Sequence, residues 1–539
     1  MTESAMQIIL VCDSLAPEGL GILGEAGEVR VRTGLPEPDL LREVVDADAI
    51  IVRSATQITA TVVEAATRCR VIARAGVGVD NIDVEAATRR GILVVNSPAG
   101  NILAAAEHAV ALLMAAARCI PQGNASTKAG QWDRKSCSGR QIQGKTLGLV
   151  GLGNVGSEVA KRGRALGLEV IAYDPYITTE RAAAAGATLA SFDEVLQQSD
   201  FLSLHAVASS ETEHLIGAPQ LARLKPGAIL INTARGSLLD EAALIAALRE
   251  GTLAAAALDV FAEEPTQNTE LLSLPNVIVT PHVGAMTHEA QINVALDAAR
   301  QVVEVLQGKP ARWPVNAPPL PPEALQVVAP FLPLAEALAR LARGLLIGPL
   351  RRLEMTTPAD LSPEYLGYVT ATALAASMQG ITDETVNAIN APLLARERHI
   401  EVAQARRQDA RGYTNLLELR LQGDPETVVA GALLDRDLPR IVGIGDYDLD
   451  LPPADTALLI WRKSPSRPGF IGRVGTLLGE AGVNISAIQV SHEAPDEVGL
   501  MALTVQSAIP EDALAEINNL DGVTMTRVIA FPERQTELS

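Results

Sequence analysis

Cysteine is scarce in this sequence, with four residues in a chain of 539. Cys12, Cys69, Cys119 and Cys137 lie far apart and form no C-x-x-C pair. Structural zinc sites and disulfide frameworks use cysteines at short, repeated spacings, so this pattern indicates neither. We therefore expect reduced thiols, no metal site and a cytoplasmic protein.

An excess of positive charge is also missing. The formal net charge is −20, and the chain contains no basic run. Both features argue against nucleic acid or an anionic membrane as the main partner. An anionic substrate would therefore need a local group of basic residues.

The chain has no long hydrophobic run that is free of charge. Its start, MTESAMQIILVCD, lacks a basic flank and a cleavable apolar segment. The most apolar predicted helix, from Ile102 to Ala117, contains Glu107 and His108. We therefore expect no membrane-spanning segment. The length predicts about three to four domains.

The stretch 145–174, KTLGLVGLGNVGSEVAKRGRALGLEVIAYD, predicts a strand, a glycine turn, a helix and a second strand. Gly151 permits the tight turn, Gly153 lets the backbone approach a pyrophosphate, and Gly156 lets the helix pack on its strand. Asp174 ends the second strand, where it would bind ribose hydroxyls and repel a 2′-phosphate. A lone glycine pattern could be a structural turn, but this full context predicts NAD binding.

The periodicity predicts an α/β protein of four domains. Short apolar strands alternate with helices over residues 7–96, as in a parallel sheet with crossover helices. A second sheet begins at the glycine turn, and the helix that follows residue 284 is long enough to return to the first. We predict a Rossmann-like domain (99–285) inserted in a flavodoxin-like domain (1–98 and 286–317). One proline-rich segment then precedes an α+β domain (318–452), and a second separates this domain from a ferredoxin-like domain (455–532).

Charged residues follow several predicted strands. Arg53 and Arg74 end strands of the first sheet, where ligands of open α/β sheets bind, although each alone could be a solvated arginine. Four histidines, His108, His205, His288 and His399, are lone residues with no paired acid at a strand end. We expect no catalytic role for them.

A second group of residues follows strands of the second sheet and suits hydride transfer from a secondary alcohol. His282 is the predicted base, because neutral imidazole has a reference pKa of about 6.5. Glu264 would fix its tautomer and stabilise the imidazolium. Arg235 would hold a substrate carboxylate through two parallel hydrogen bonds. Asp259 would accept a hydrogen bond from the nicotinamide carboxamide.

Several motifs resemble those of the D-3-phosphoglycerate dehydrogenases, which belong to the D-isomer 2-hydroxyacid dehydrogenases. They are RSATQITATVVEAA, RAGVGVDNIDVEAATRRGILVVNSPAGN, GLGNVG, NTARGSLLDE, ALDVFAEEP and PHVGAMTHEAQ. VNAINAPLLARERHIEV, RGYTNLLEL and RIVGIGDYDLDLP resemble the extra middle domain of the long form, and RPGFIGRVGTLLGEAGVNIS resembles an ACT domain.

The resemblance implies the composition of the site. Arg53, Arg74 and Asn101 would line the substrate pocket, and Arg134 would reach the site of a neighbouring subunit in a homodimer or homotetramer. A substrate with one carboxylate and one phosphate carries about three negative charges and suits several arginines. The expected cofactor-binding residues are Gly151, Gly153, Asn154, Val155, Gly156, Asp174, Ala234, Asp259 and His282.

The activity implied is the NAD-dependent oxidation of 3-phospho-D-glycerate to 3-phosphooxypyruvate, which leads to serine. Two alternatives remain: a dehydrogenase for another D-2-hydroxyacid such as glycerate, and an NADH-sensing binding protein similar to corepressors. At the ACT-like module, Asn484 would supply the side-chain amide that binds an amino-acid effector. Ser466 replaces the acid expected before R-P-G, so we expect serine to inhibit weakly or not at all.

Overall fold

The computed structural model describes residues 6–318, 322–359, 361–381, 385–407, 412–424, 426–435, 438–463, 468–492 and 498–531. The described chain forms four sheets of five, seven, six and four strands. Two parallel sheets precede two mixed or antiparallel ones, which confirms the predicted α/β fold class.

The first sheet has five parallel strands in the order β2-β1-β3-β4-β5. This is the flavodoxin-like order, in which helices cover both faces. Apart from the edge strand β2, the strands therefore read as largely apolar runs, and β3 is buried along its whole length. The elements are β1 Ile8–Val11, α1 Pro17–Ala26, β2 Glu28–Val31, α2 Glu37–Glu43, β3 Ala49–Val52, α3 Ala60–Ala65, β4 Val71–Arg74, α4 Val84–Arg90 and β5 Leu93–Asn96.

The second sheet has seven parallel strands in the order β12-β11-β10-β9-β6-β7-β8. The direction of winding reverses between β6 and β9, and ligands of such sheets bind at that point. The elements are α5 Ile102–Ala117, α6 Ile120–Lys128, β6 Thr146–Val150, α7 Asn154–Ala165, β7 Glu169–Tyr173, α8 Thr179–Ala184, β8 Thr188–Leu189, α9 Phe192–Gln198, β9 Phe201–Leu204, α10 Ala218–Leu221, β10 Ala228–Asn232, a short 3-10 helix Gly236–Leu238, α11 Glu241–Glu250, β11 Leu253–Leu258, α12 Thr269–Leu272 and β12 Val277–Val279.

After the second sheet, the chain returns to the first. Helix α13, His288–Leu306, buries Val294, Ala298 and Val302 in the apolar core that lies against the first sheet. Asn316 then accepts a hydrogen bond from Val94 N at 2.8 Å. These contacts join the segment 286–317 to the first sheet; the domain boundaries themselves stay predictions.

The third sheet, in the order β14-β13-β15-β16-β17-β18, is antiparallel except for the pair β13 and β14. The fourth, in the order β20-β21-β19-β22, is antiparallel with the ferredoxin-like succession of strands and helices. The elements are α14 Pro322–Val328, α15 Phe331–Leu345, β13 Arg352–Pro358, α16 Pro363–Met378, α17 Ala391–Glu397, β14 Glu401–Arg407, β15 Leu416–Gln422, β16 Thr427–Leu434, β17 Leu438–Ile444, β18 Tyr447–Leu451, β19 Thr456–Lys463, α18 Phe470–Glu480, β20 Ile485–His492, β21 Val498–Val505, α19 Glu511–Asn518 and β22 Val523–Ala530.

The last two sheets share one apolar core. Leu459 and Ile529 of the fourth sheet lie in the same buried cluster as Leu338 and Leu341 of α15. Within the described ranges, one helical stretch, Ala324–Leu345, is long and apolar enough to cross a membrane, and the bent pair α5 and α6 would be another if it formed one span. Half of the first stretch is buried inside the protein.

Candidate active site

The turn after β12 brings a histidine and a carboxylate together. His282 Nδ1 lies 2.6 Å from Glu264 Oε2, and Glu264 Oε1 accepts a hydrogen bond from Phe261 N at 3.1 Å. His282 has a φ of 52°, a left-handed conformation that non-glycine residues adopt at a cost. Because Nδ1–H donates to the carboxylate, Nε2 is left as the proton acceptor. The side chain is half exposed, so this nitrogen can meet a substrate.

Asp259 is buried next to this turn and contacts a histidine that the sequence did not connect with it. Its Oδ1 accepts hydrogen bonds from Thr280 Oγ1 at 2.6 Å and Val283 N at 2.9 Å. His108 Nε2 lies 3.2 Å from the same oxygen. Burial acts to raise the pKa of Asp259, but the hydrogen bonds, led by that from His108, hold it below its usual range. The prediction that His108 has no paired acid is therefore wrong, because α5 packs against β11 and places it there.

Three arginines from two sheets lie near one another. Burial and then the positive charges of Arg235 and Arg53 together lower the pKa of Arg74 to about 10. Arg74 Nε is buried without a hydrogen-bond partner among the described residues. A concentration of positive charge with an unsatisfied donor is suited to binding an anion.

Arg235 crosses the cleft between the first two sheets. Its Nε lies 3.3 Å from Asp80 Oδ2, and its Nη1 donates to Ala234 O at 2.7 Å. A side chain at Gly78 would collide with its guanidinium. Asp80 is not identifiable from the sequence alone, because a charged residue in a loop shows no partner until the loops of two domains face each other. The one sequence feature that could have pointed to Asp80 is its position four residues after Gly76, in the loop that follows β4.

Two asparagines, which the sequence alone also does not identify, hold the backbone of two of these arginines in place. Asn81 Nδ2 donates to Arg53 O at 2.8 Å and to Thr56 O at 2.6 Å. Asn232, which is fully buried, donates to Arg235 O at 2.9 Å. Both asparagines donate to backbone carbonyl oxygens, so they hold the loops that carry the arginines and need not contact a ligand. A polar residue at the end of an apolar strand, as in AILIN, was the signal available.

The glycine turn fits a dinucleotide. Gly151 has a φ of +94°, and a side chain there would lie 2.6 Å from the His205 backbone. A side chain at Gly153 would project into open space, which leaves room for a pyrophosphate, and one at Gly156 would collide with the turn. Helix α7 begins at Asn154 with no side-chain cap, so its first amides can bind an anion.

The end of β7 completes this part of the site. Asp174 Oδ2 accepts a hydrogen bond from Leu152 N at 2.8 Å, which fixes the acid beside the glycine turn. Val155 follows in the first turn of α7. His205, behind the turn, has its pKa lowered to about 4 by burial, and its Nε2 lies 2.8 Å from Ser203 Oγ. His205 is therefore neutral and structural.

The structure gives the positions of three other predicted site residues, but their roles stay predictions. Asn101 is the N-cap residue of α5 and makes no capping hydrogen bond. Arg134 is exposed in the turn that follows α6. Asn484 precedes β20 and donates to Gln506 Oε1 at 2.8 Å; Ser466 lies outside the described residues. No group of three histidines, cysteines or acids within the described ranges could hold a metal ion.

Two family models match the chain. Residues 110–284 match the NAD-binding domain of the D-isomer specific 2-hydroxyacid dehydrogenases. Residues 327–445 match the intervening domain of D-3-phosphoglycerate dehydrogenase. The second sheet with its glycine turn is therefore an NAD-binding domain, and most of the third sheet belongs to the intervening domain.

Relatives and solved structures agree with these matches. A D-3-phosphoglycerate dehydrogenase from Synechocystis is 42% identical over 96% of this chain and 94% of its own length, and one from Methanocaldococcus jannaschii is 40% identical over 97% and 99%. The crystal structure of the TT0316 protein from Thermus thermophilus, 38% identical, covers 57% of this chain and all of its own, with a TM-score of 0.54. A glyoxylate reductase from Paecilomyes thermophila, 32% identical, covers 58% and 98%, also with 0.54. The chain therefore belongs to the D-3-phosphoglycerate dehydrogenases, within the D-isomer specific 2-hydroxyacid dehydrogenases.

Proposed function

We propose that this protein oxidises 3-phospho-D-glycerate to 3-phosphooxypyruvate with NAD, the first step of the phosphorylated route to serine. The observation that carries the proposal is the grouping of Arg53 and Arg235 around the buried Arg74, with Arg53 also contacting Met286, four residues after His282. In a chain of net charge −20, this local positive charge is the exception that a trianionic substrate requires.

The three arginines would bind different groups of the substrate. Arg235 follows β10, close to the turn that carries the base, and we assign it to the carboxylate through a two-pronged contact. Arg53 and Arg74 come from the first sheet and would hold the phosphate. Because the two ends of the substrate are held from two sheets, its C2 carbon is oriented between them for reaction.

His282 moves the proton in this reaction. Its Nε2 accepts the proton of the C2 hydroxyl, and Glu264 stabilises the imidazolium that forms. NAD, when bound, supplies the acceptor for the hydride that leaves C2. The substrate therefore loses one proton and one hydride and becomes the ketone. His282 returns its proton to solvent, to which the half-exposed side chain has access.

We expect Glu264→Gln to lower kcat for oxidation about tenfold, as for the loss of one charge-assisted hydrogen bond. The neutral amide can no longer stabilise the positive charge that His282 gains when it takes the hydroxyl proton. The measurement is kcat for both proteins; an unchanged kcat would remove Glu264 from the site.

We expect Asp174→Ala to narrow the preference for NAD over NADP. The carboxylate would bind ribose hydroxyls and repel a 2′-phosphate, so its loss should lower the ratio of the two kcat/KM values about tenfold or more. Asp174→Asn is the matched control, since it keeps an acceptor for Leu152 N and removes only the charge. If both variants discriminate as sharply as the parent, another residue selects the cofactor.

The test of the function is the appearance of NADH absorbance with 3-phosphoglycerate and NAD. D-glycerate, which lacks the phosphate, is the comparison substrate. A much higher kcat/KM for the phosphorylated substrate is expected, because D-glycerate offers Arg53 and Arg74 no phosphate to bind. Equal values would favour a dehydrogenase for another D-2-hydroxyacid. NADH binding with no turnover of any hydroxyacid would favour a sensing protein.

The assembly and the location belong to the same proposal. We infer a cytoplasmic homodimer or homotetramer, in which Arg134, exposed after α6, would reach the site of the neighbouring subunit. Sedimentation velocity gives the number of subunits. A monomer with full activity would contradict the role of Arg134.

We expect serine to inhibit weakly or not at all, with the fourth sheet acting as an ACT-like module for assembly. An ammonium group is held best by a carboxylate, and a neutral hydroxyl at Ser466 would cost about tenfold or more in affinity. The measurement is activity against serine concentration. Inhibition at micromolar serine that is abolished by Asn484→Ala would contradict this prediction.

A further inference from the structure

One turn and one carboxylate together fix the position of the base. Asp259 Oδ1 accepts from Thr280 Oγ1 and Val283 N, and Oδ2 accepts from Gly284 N at 2.8 Å. The Asp259 carbonyl accepts from His282 N at 2.9 Å. Because these bonds lie on both sides of His282, the position of its ring depends on Asp259.

A further donor reaches this carboxylate from α5. His108 Nε2 lies 3.2 Å from Asp259 Oδ1 and 3.1 Å from Thr280 Oγ1, and the His108 side chain is only 20% exposed. A side chain at Gly284 would lie 3.0 Å from Asp259 Oδ2 and 3.8 Å from His108 Cδ2. Helix α5 therefore packs directly on the turn, with His108 at the contact.

We propose that His108 is a positioning residue for hydride transfer. Its Nε2–H binds Asp259 and Thr280 and thereby holds the Thr280–Gly284 turn, with His282 at its centre, against α5. The inference rests on the function proposed above, because it assigns His108 a part in placing the base of that reaction. His108 acts through Asp259 and needs no contact with substrate.

The physical reason lies in the strain of the turn. His282 keeps a φ of 52°, which a non-glycine residue holds only when its surroundings enforce it. Asp259 is 1% exposed, so water cannot readily replace a donor that it loses. Without His108 the turn should relax, and displacement of a reacting group by about 1 Å can cost up to ~10²-fold in rate.

The test compares His108→Leu with His108→Gln. Both residues form helices well, and only glutamine can still donate to Asp259. We expect His108→Leu to lower kcat about tenfold and to leave KM for 3-phosphoglycerate within about twofold, since ground-state binding is untouched. Hydrogen exchange at the Val283 and Gly284 amides should become about tenfold faster. His108→Gln should recover most of both effects.

The control is Glu107→Gln, at the neighbouring position of α5, where the side chain faces Arg162 instead. It should change neither kcat nor exchange in the turn. In a Thr280→Val background, His108→Leu should cost clearly less than in the parent, because the two side chains share one acceptor.

Three results would overturn the proposal: unchanged exchange in His108→Leu, loss of kcat without recovery in His108→Gln, or full additivity with Thr280→Val. If His108→Leu does not fold, exchange in His108→Asn, whose shorter side chain cannot reach the carboxylate in the same way, decides the question. If the parent protein does not oxidise 3-phosphoglycerate, the proposed function fails, and the exchange measurement still tests the role of His108.

Discussion

His282→Ala is expected to cut kcat for 3-phosphoglycerate oxidation by ~10² to 10⁴-fold, the range typical of a positioned acid–base group. The variant loses the Nε2 that accepts the hydroxyl proton, while Glu264 keeps its bond from Phe261 N. Binding of NADH should be almost unchanged, because the contacts expected from the glycine turn and Asp174 remain and only the one expected from His282 is lost. The measurements are steady-state turnover and NADH fluorescence titration on the same preparation.

A matched control variant distinguishes the loss of the catalytic base from a general effect of replacing a histidine. His288 is the first residue of α13, and we expect no catalytic role for it, so His288→Ala should keep parental turnover. Alanine at position 282 must still adopt a left-handed backbone, and a melting scan therefore accompanies the kinetics. Turnover near the parental value in a folded His282→Ala protein would refute the assignment of the base.

Arg74→Met is expected to make the protein more stable and less able to bind its substrate. The pKa of Arg74 is lowered to about 10, first by burial and then by the charges of Arg235 and Arg53, so keeping it charged costs on the order of 1 to 3 kcal/mol. Methionine fills a similar volume without that charge. The free energy of unfolding should rise, and KM for 3-phosphoglycerate should rise about a hundredfold.

D-glycerate as a second substrate shows whether the higher KM of Arg74→Met comes from a lost phosphate contact or from a structural change. If Arg74 binds the phosphate, Arg74→Met should change kcat/KM for D-glycerate far less than for 3-phosphoglycerate. Arg74→Lys keeps the charge but not the planar fork, so its loss of substrate affinity should be intermediate. A variant that is destabilised and binds both substrates as the parent does would show that Arg74 is a structural residue.

The local part of the structure could be read from the sequence. A strand, three glycines at fixed spacing and an acid are set by backbone geometry over about thirty residues, and the structure contains them as predicted. The His282–Glu264 contact was also predicted correctly, since both residues follow strands of one parallel sheet and must lie at the same edge. The order of elements likewise predicted both parallel sheets.

Contacts between distant segments could not be read in this way. Asp80 and Arg235 meet because two separately folded sheets face each other across a cleft, and neither local pattern contains the other. His108 looked like an ordinary residue of an apolar helix, and only the packing of α5 on the turn shows its contact with Asp259. The common core of α15 and the fourth sheet is not visible in the sequence, because the proline-rich segment before β19 predicts a boundary between separate domains.

The sequence by itself thus determined the fold class, the glycine turn of the NAD-binding domain and the pairing of His282 with Glu264, because these depend on periodicity and on short spacings. The tertiary structure decided which charges meet and which side chains hold them: the crowding of Arg74 by Arg53 and Arg235, and the fixing of His282 through Asp259. Such arrangements depend on the angle and distance at which whole sheets and helices pack, and these quantities are set by the sum of many weak contacts spread over the chain.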